Sequence, residues 1–88
     1  MSQNLIRLRK QIDGVNEEIF NLIVKRIEIA RRIAKYKKQC GLKMVDKDRE
    51  GEIILDVEKL AKKKKINPEL SGKIFQKIIE LTKREMKK

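Results

Sequence analysis

From Leu5 onward, apolar residues recur in steps of three and four at Leu8, Ile12, Val15, Ile19, Leu22, Ile23, Ala30 and Ile33. That is the period of one helical face, with near-heptad spacing. Nothing stronger than Gly14 interrupts the pattern before Gly41, so it predicts one long helix. At 1.5 Å per residue the helix extends roughly 50 Å, beyond the diameter of a globule of this length, and it needs a partner along its length. Residues 40–45 predict a loop, and Asp46 is placed to cap a second helix whose first turns carry Asp48, Glu50 and Glu52, as the helix dipole favours. The stripe of that helix is Ile53, Val57, Leu60 and Ala61. Asn67-Pro68 reads as a cap followed by proline at the first helical position. A third helix then follows on Leu70, Ile74, Phe75, Ile78, Ile79 and Thr82. No stretch alternates as a strand does. The fold class is therefore all-α, with one long and two shorter helices in a single domain over residues 1–88.

Composition narrows the chemistry. A chain of 88 residues buries only a modest share of its surface, and this one has no His and a single cysteine, Cys40. It lacks the disulfides and metal ligands that staple small folds, which leaves oligomerisation. The same absences leave no zinc cluster, no Ser-His-Asp or Cys-His nucleophile and no internal disulfide, and they argue against metal-assisted chemistry. The start, MSQNLIRLRK, places Arg7, Arg9 and Lys10 where a secretory signal needs an apolar stretch. These features fit a soluble protein of a reducing compartment, the cytoplasm. A net charge of +11 calls for an acidic partner, whether nucleic acid, an anionic membrane surface or a small polyanion, and charge alone does not choose among them. The Lys62–Lys65 run falls where lysines complement a helix C-terminus and solvate its surface. Phe20, Tyr36 and Phe75 are too scattered to make a stacking platform, which argues against specific nucleic-acid binding.

The informative residues are charges at positions where the pattern asks for apolar ones. Arg26 follows Leu22 by one helical turn and precedes Ala30, so it lies on the buried stripe. Lys37 is eleven residues further along, about 16 Å up the axis and within about 20° of the same direction. Arg49 and Asp46 continue the stripe of Ile53 upstream, and Thr82 sits among Phe75, Ile78 and Ile79. One arginine in a helical seam is most simply a register device or a snorkelling side chain. Three inward cations are harder to explain that way, because Asp46 and Glu50 cannot neutralise Arg26, Lys37 and Arg49 together. A small anionic ligand inside a helical bundle would complete the set.

The runs LRKQIDGVNEEIFNLIVKRIEIARRIAKYKK, VDKDRE and IFQKIIELTK, in that order, resemble the all-helical chorismate mutase family over nearly the whole chain. Arg9, Arg26, Lys37, Asp46, Arg49 and Glu50 fall at the family's positions in sequence order. The resemblance implies an intertwined homodimer of three-helix chains that rearranges chorismate, a dicarboxylate, to prephenate without a cofactor. It implies that Arg26, and Arg9 from the other subunit, clamp the carboxylates, and that Lys37 donates to the ether oxygen. Arg49 then completes the cationic pocket, Glu50 accepts the substrate hydroxyl with help from backbone near Asp46, and Thr82 takes the place of a small hydroxyl residue near a carboxylate. Helix geometry is consistent with a borrowed arginine: Arg9 lies seventeen residues before Arg26, roughly 25 Å along one helix.

One position departs from the family. Counting from Phe75, the site of its usual Gln or Glu, a second donor to the ether oxygen, falls on Met86, which offers no useful hydrogen bond. Glu85 is adjacent but about 100° away around the helix. Two other readings fit parts of the sequence. An isochorismate pyruvate lyase shares the fold and pocket, and a non-catalytic basic helical protein that binds nucleic acid explains the charge but not the inward cations.

Overall fold

The computed structural model describes residues 2–88, which form three helices: α1 Gln3–Cys40, α2 Lys47–Lys63 and α3 Pro68–Met86. The ends are set by the chemistry the sequence supplies. The Asp46 side chain accepts the Arg49 N–H at 3.0 Å, and the Asn67 side chain accepts the Leu70 N–H at 2.9 Å ahead of Pro68. Both bonds satisfy donors that a first helical turn otherwise leaves open. α1 runs through Cys40, one residue further than the expected loop, and stops because Gly41 turns left-handed at φ 69°. The Leu42 N–H can then reach back to the Lys37 carbonyl at 2.8 Å. α2 ends by the same device, with the Ile66 N–H on the Ala61 carbonyl at 2.8 Å, but here the left-handed residue is Lys65 at φ 60°.

α2 and α3 form an antiparallel hairpin: Glu50 meets Lys83 near one end, while Glu58 lies against Gly72 near the other. At Gly72 the helices come close, since an added Cβ would stand 3.4 Å from both Ile54 and Glu58. This close approach rotates the seam away from the simplest reading of the stripes. The side chains that turn inward on α2 are Ile53, Ile54, Val57 and Ala61, whereas Leu60 is exposed. On α3 they are Phe75, Ile78, Ile79 and Thr82, while Leu70 and Ile74 point to solvent.

α1 packs on α3 only through its C-terminal half, by Ile23, Ile27, Ala30 and Ala34, and it does not pack on α2. Its N-terminal half stands clear, with Leu5, Leu8, Ile12, Val15, Ile19 and Leu22 all exposed. Among the described residues only Ile27, Ala61, Gly72, Ile79 and Thr82 are buried. The chain is accordingly long and flat, 58 × 29 × 16 Å, with a radius of gyration of 16.7 Å. A compact chain of this length has a radius of about 12 Å. No helix among the described residues is long and apolar enough to cross a membrane.

Candidate active site

The second half of α1 presents two half-buried cations on the face it turns to the rest of the chain, Arg26 and Lys37. Among the described residues no carboxylate pairs with either of them. The Arg26 Nη1 donates to Thr82 Oγ1 at 2.8 Å across the α1–α3 junction. Thr82 is 4% exposed, and its hydroxyl in turn donates to the Ile78 carbonyl at 2.7 Å. The Arg31 Nη2 donates to the Glu85 carbonyl at 3.1 Å one turn further up, so two guanidinium contacts tie the end of α3 to α1.

Lys37 lies at the mouth of a cleft of about 490 Å³ that it shares with Leu42, Val45, Asp46 and Lys47. The helix stop at Gly41 makes this cleft, because it folds the connection to α2 back past the last turn of α1. Asp46 therefore lines the same cleft as the lysine while its carboxylate caps α2.

Glu50 and Arg49, one residue apart, face different surroundings. Glu50 has only 26% of its side chain exposed and bonds Lys83 of α3, with Oε2 at 2.9 Å and Oε1 at 3.2 Å from Nζ. It opens onto a second cleft of about 430 Å³ between α2 and α3. Arg49 departs from the expectation of an inward cation in the single chain. Its side chain is 61% exposed and pairs with Glu52 at 3.1 Å. The reason is architectural: its face of α2 has no wall opposite, since α1 does not reach it. Met86 is the last residue of α3 and is half-buried, while the Glu85 carboxylate is held by Lys88 at 3.0 Å. Arg9 lies on the uncovered half of α1, roughly 25 Å from Arg26 along the helix.

One chain thus brings together Arg26 with Thr82, and Lys37 with Asp46, and leaves Arg9 and Arg49 apart from them. The periodicity gave no sign of Lys83 or Arg31, since both lie outside the apolar stripes. The only available signal was the excess of unpaired lysine and arginine, which does not say which of them crosses a helix interface.

The sequence pattern of the chorismate mutase type II family matches residues 8–87. A chorismate mutase of Methanocaldococcus jannaschii is 35% identical over 83 residues, which cover 94% of this chain and 84% of that protein. A bifunctional chorismate mutase/prephenate dehydratase of Aquifex aeolicus is 36% identical over 73 residues, 83% of this chain but 18% of that longer protein.

Proposed function

The chain belongs to the chorismate mutase type II family, and we propose that it converts chorismate to prephenate for aromatic amino-acid biosynthesis, in the cytoplasm, as one catalytic domain paired in an intertwined homodimer. The observation that carries this reading is the pair of half-buried cations, Arg26 and Lys37, on one face of α1 without a carboxylate partner. Half-buried positive charge of this kind is costly unless a counter-charge meets it. A dicarboxylate with a negatively polarised ether oxygen supplies that counter-charge.

The reaction is an intramolecular isomerisation. The ether carbon–oxygen bond breaks and a carbon–carbon bond forms within the same molecule, so no atom is gained or lost and no cofactor enters. Bond breaking runs ahead, and negative charge gathers on the ether oxygen at the transition state. The protein's part is to hold the compact chair-like conformer and to meet that charge with fixed donors. Arg26 grips one carboxylate with its planar fork, which a lysine could not imitate. Lys37 donates to the ether oxygen. Glu50 accepts the substrate hydroxyl, backbone at Asp46 assists, and Met86 borders the ether oxygen without donating to it.

Two residues reach this site through the second subunit. Arg9 arrives from the partner's uncovered α1 to hold the other carboxylate, since its own chain carries it roughly 25 Å away. Arg49 gains its opposite wall when the partner covers α2, and turns from Glu52 towards the substrate. The surface of the single chain supports pairing. At 7839 Å² it exceeds by about 2,400 Å² what a folded monomer of 10.4 kDa exposes, an excess of the size obligate dimers bury.

The test is incubation with chorismate and, separately, with isochorismate, followed by identification of the products. Prephenate from chorismate is the expected result. Pyruvate from isochorismate with no prephenate would replace this reading by the lyase, and no turnover of either would leave a binding protein.

A further inference from the structure

Successive residues of α3 serve different helices. Thr82 meets Arg26 of α1, and Lys83, about 100° further around the helix, reaches Glu50 of α2. The ion pairs Lys47–Glu50, Arg49–Glu52, Lys77–Glu80 and Glu80–Arg84 join residues three or four apart on one helix. The Lys83–Glu50 pair instead spans 33 residues and two helices. Its ammonium sits astride the carboxylate, 2.9 Å from Oε2 and 3.2 Å from Oε1. Charge fixes the sense of both contacts, since an ammonium can only donate and a carboxylate offers about four lone-pair positions. Glu50 therefore keeps acceptor capacity to spare, and it lines the cleft between α2 and α3. A second cation nearby, Lys47, stands 3.9 Å off on a side chain that is 78% exposed, against 39% for Lys83.

We propose that Lys83 is a positioning residue for Glu50: from α3 it holds the α2 carboxylate in the orientation that meets the substrate hydroxyl. This rests on the hydroxyl-accepting role given to Glu50 above. Its physical basis is rotamer freedom. A glutamate at the edge of an open cleft samples many conformers, and it gives them up when it accepts a hydrogen bond from substrate. An ammonium anchored on the facing helix removes that freedom beforehand, through charge-assisted bonds to both oxygens. The anchor is firm because α2 and α3 are themselves locked by their close approach at Gly72. Lys47 cannot do the same, since it shares its helix with Glu50 and its side chain extends into solvent.

The test compares two substrates, chorismate and an analogue with hydrogen in place of its hydroxyl, in Lys83→Met, Lys83→Arg, Glu50→Ala and the Lys83→Met/Glu50→Ala pair. Methionine keeps an unbranched stem and removes the charge, and circular dichroism checks that each variant is folded. Lys83→Met is expected to lower kcat/KM for chorismate by about three- to twentyfold, and for the analogue by less than about twofold. Added to Glu50→Ala, it should cost less than about twofold with either substrate, and Lys83→Arg should restore most of the loss with chorismate. Equal losses for the two substrates would overturn the inference, because Lys83 would then act on the whole fold or on another part of the substrate. So would an unchanged rate with chorismate. If Lys83→Met does not fold, Lys83→Gln takes its place with the same criteria, and if neither folds, Lys83 is structural and the inference fails. Failure of the underlying reading looks different: Glu50→Ala would itself retain parental kcat/KM for chorismate.

Discussion

Among the described residues Arg26 and Lys37 stand apart from the other cations because each is half-buried with no carboxylate to meet it, so deleting either charge removes a placed donor without orphaning a carboxylate. Arg26→Ala and Lys37→Ala are each expected to lower kcat/KM by about 10²-fold or more, with helical content and melting temperature retained, as circular dichroism would record. Near-parental turnover in both would make them structural residues. Met86 gives the opposite kind of expectation. In the proposed site Met86→Gln adds a donor beside the ether oxygen, and a neutral hydrogen bond contributes roughly 0.5 to 1.5 kcal/mol. A two- to tenfold gain in kcat with little change in KM is expected from steady-state kinetics. An unchanged rate would place the last turn of α3 away from the reacting atoms. At this scale the sequence was legible wherever one helix decides a side chain's direction. Arg26 lies inward with Ile23, Ile27 and Ala30, although Leu22 and Ile33 of the predicted stripe are exposed. Arg49 was not legible in the same way, since its direction depends on what stands opposite α2, and periodicity within one helix carries no information about that. The bond from Arg26 to Thr82 joins residues far apart in sequence, and only the packing of α1 on α3 reveals it.

The helices themselves were the most readable part of the chain, because their ends are fixed by local chemistry. Asp46, Asn67-Pro68 and Gly41 each act within a few residues. Which face of α2 and α3 turns inward was less so, because three-and-four spacing fits two adjacent faces, and the close approach at Gly72 selects the one with Ile54 over the one with Leu60. The two left-handed helix stops make a matched pair for experiment. Gly41 adopts φ 69° freely, whereas Lys65 holds φ 60° against the steric cost of its Cβ, about 1 kcal/mol. Lys65→Gly is expected to raise stability by about 0.5 to 1 kcal/mol, and Gly41→Ala to lower it by about 1 kcal/mol, both read from denaturant midpoints at fixed chain concentration. If Lys65→Gly instead destabilises, the lysine makes contacts at the α2–α3 turn that outweigh its backbone strain.

For the molecule as a whole, the decisive quantity is surface. A single chain buries few side chains and leaves the apolar residues of half of α1 facing water, together with Leu70, Ile74 and Leu60 on the shorter helices. Sedimentation at micromolar concentration is expected to give twice the 10.4 kDa chain mass. Shared sites have a sharper signature. Arg9→Ala and Arg26→Ala homodimers should both be nearly inactive, yet mixing them under exchange conditions should restore one intact site per heterodimer. No recovery despite proven exchange would remove Arg9 from the partner's site. The net charge of +11 is expected to give weak, steeply salt-dependent binding to duplex DNA without sequence preference.

The uncovered half of α1 also governs how the protein comes into being. Residues 3–22 are exposed throughout, and α1 does not pack on α2; an isolated helix of about 20 residues interrupted by Gly14 is marginal in water. In the proposed dimer that half becomes firm only when the second chain lies along it, which makes the last step of folding a collision between two molecules. After dilution from denaturant, the hairpin of α2 and α3 should recover its ellipticity at a rate indifferent to protein concentration. Catalysis should return in a second phase, about ten times slower at 0.1 μM chain than at 1 μM. Newly made chains in a cell would follow the same law, idle until their own synthesis raises their number enough for them to meet.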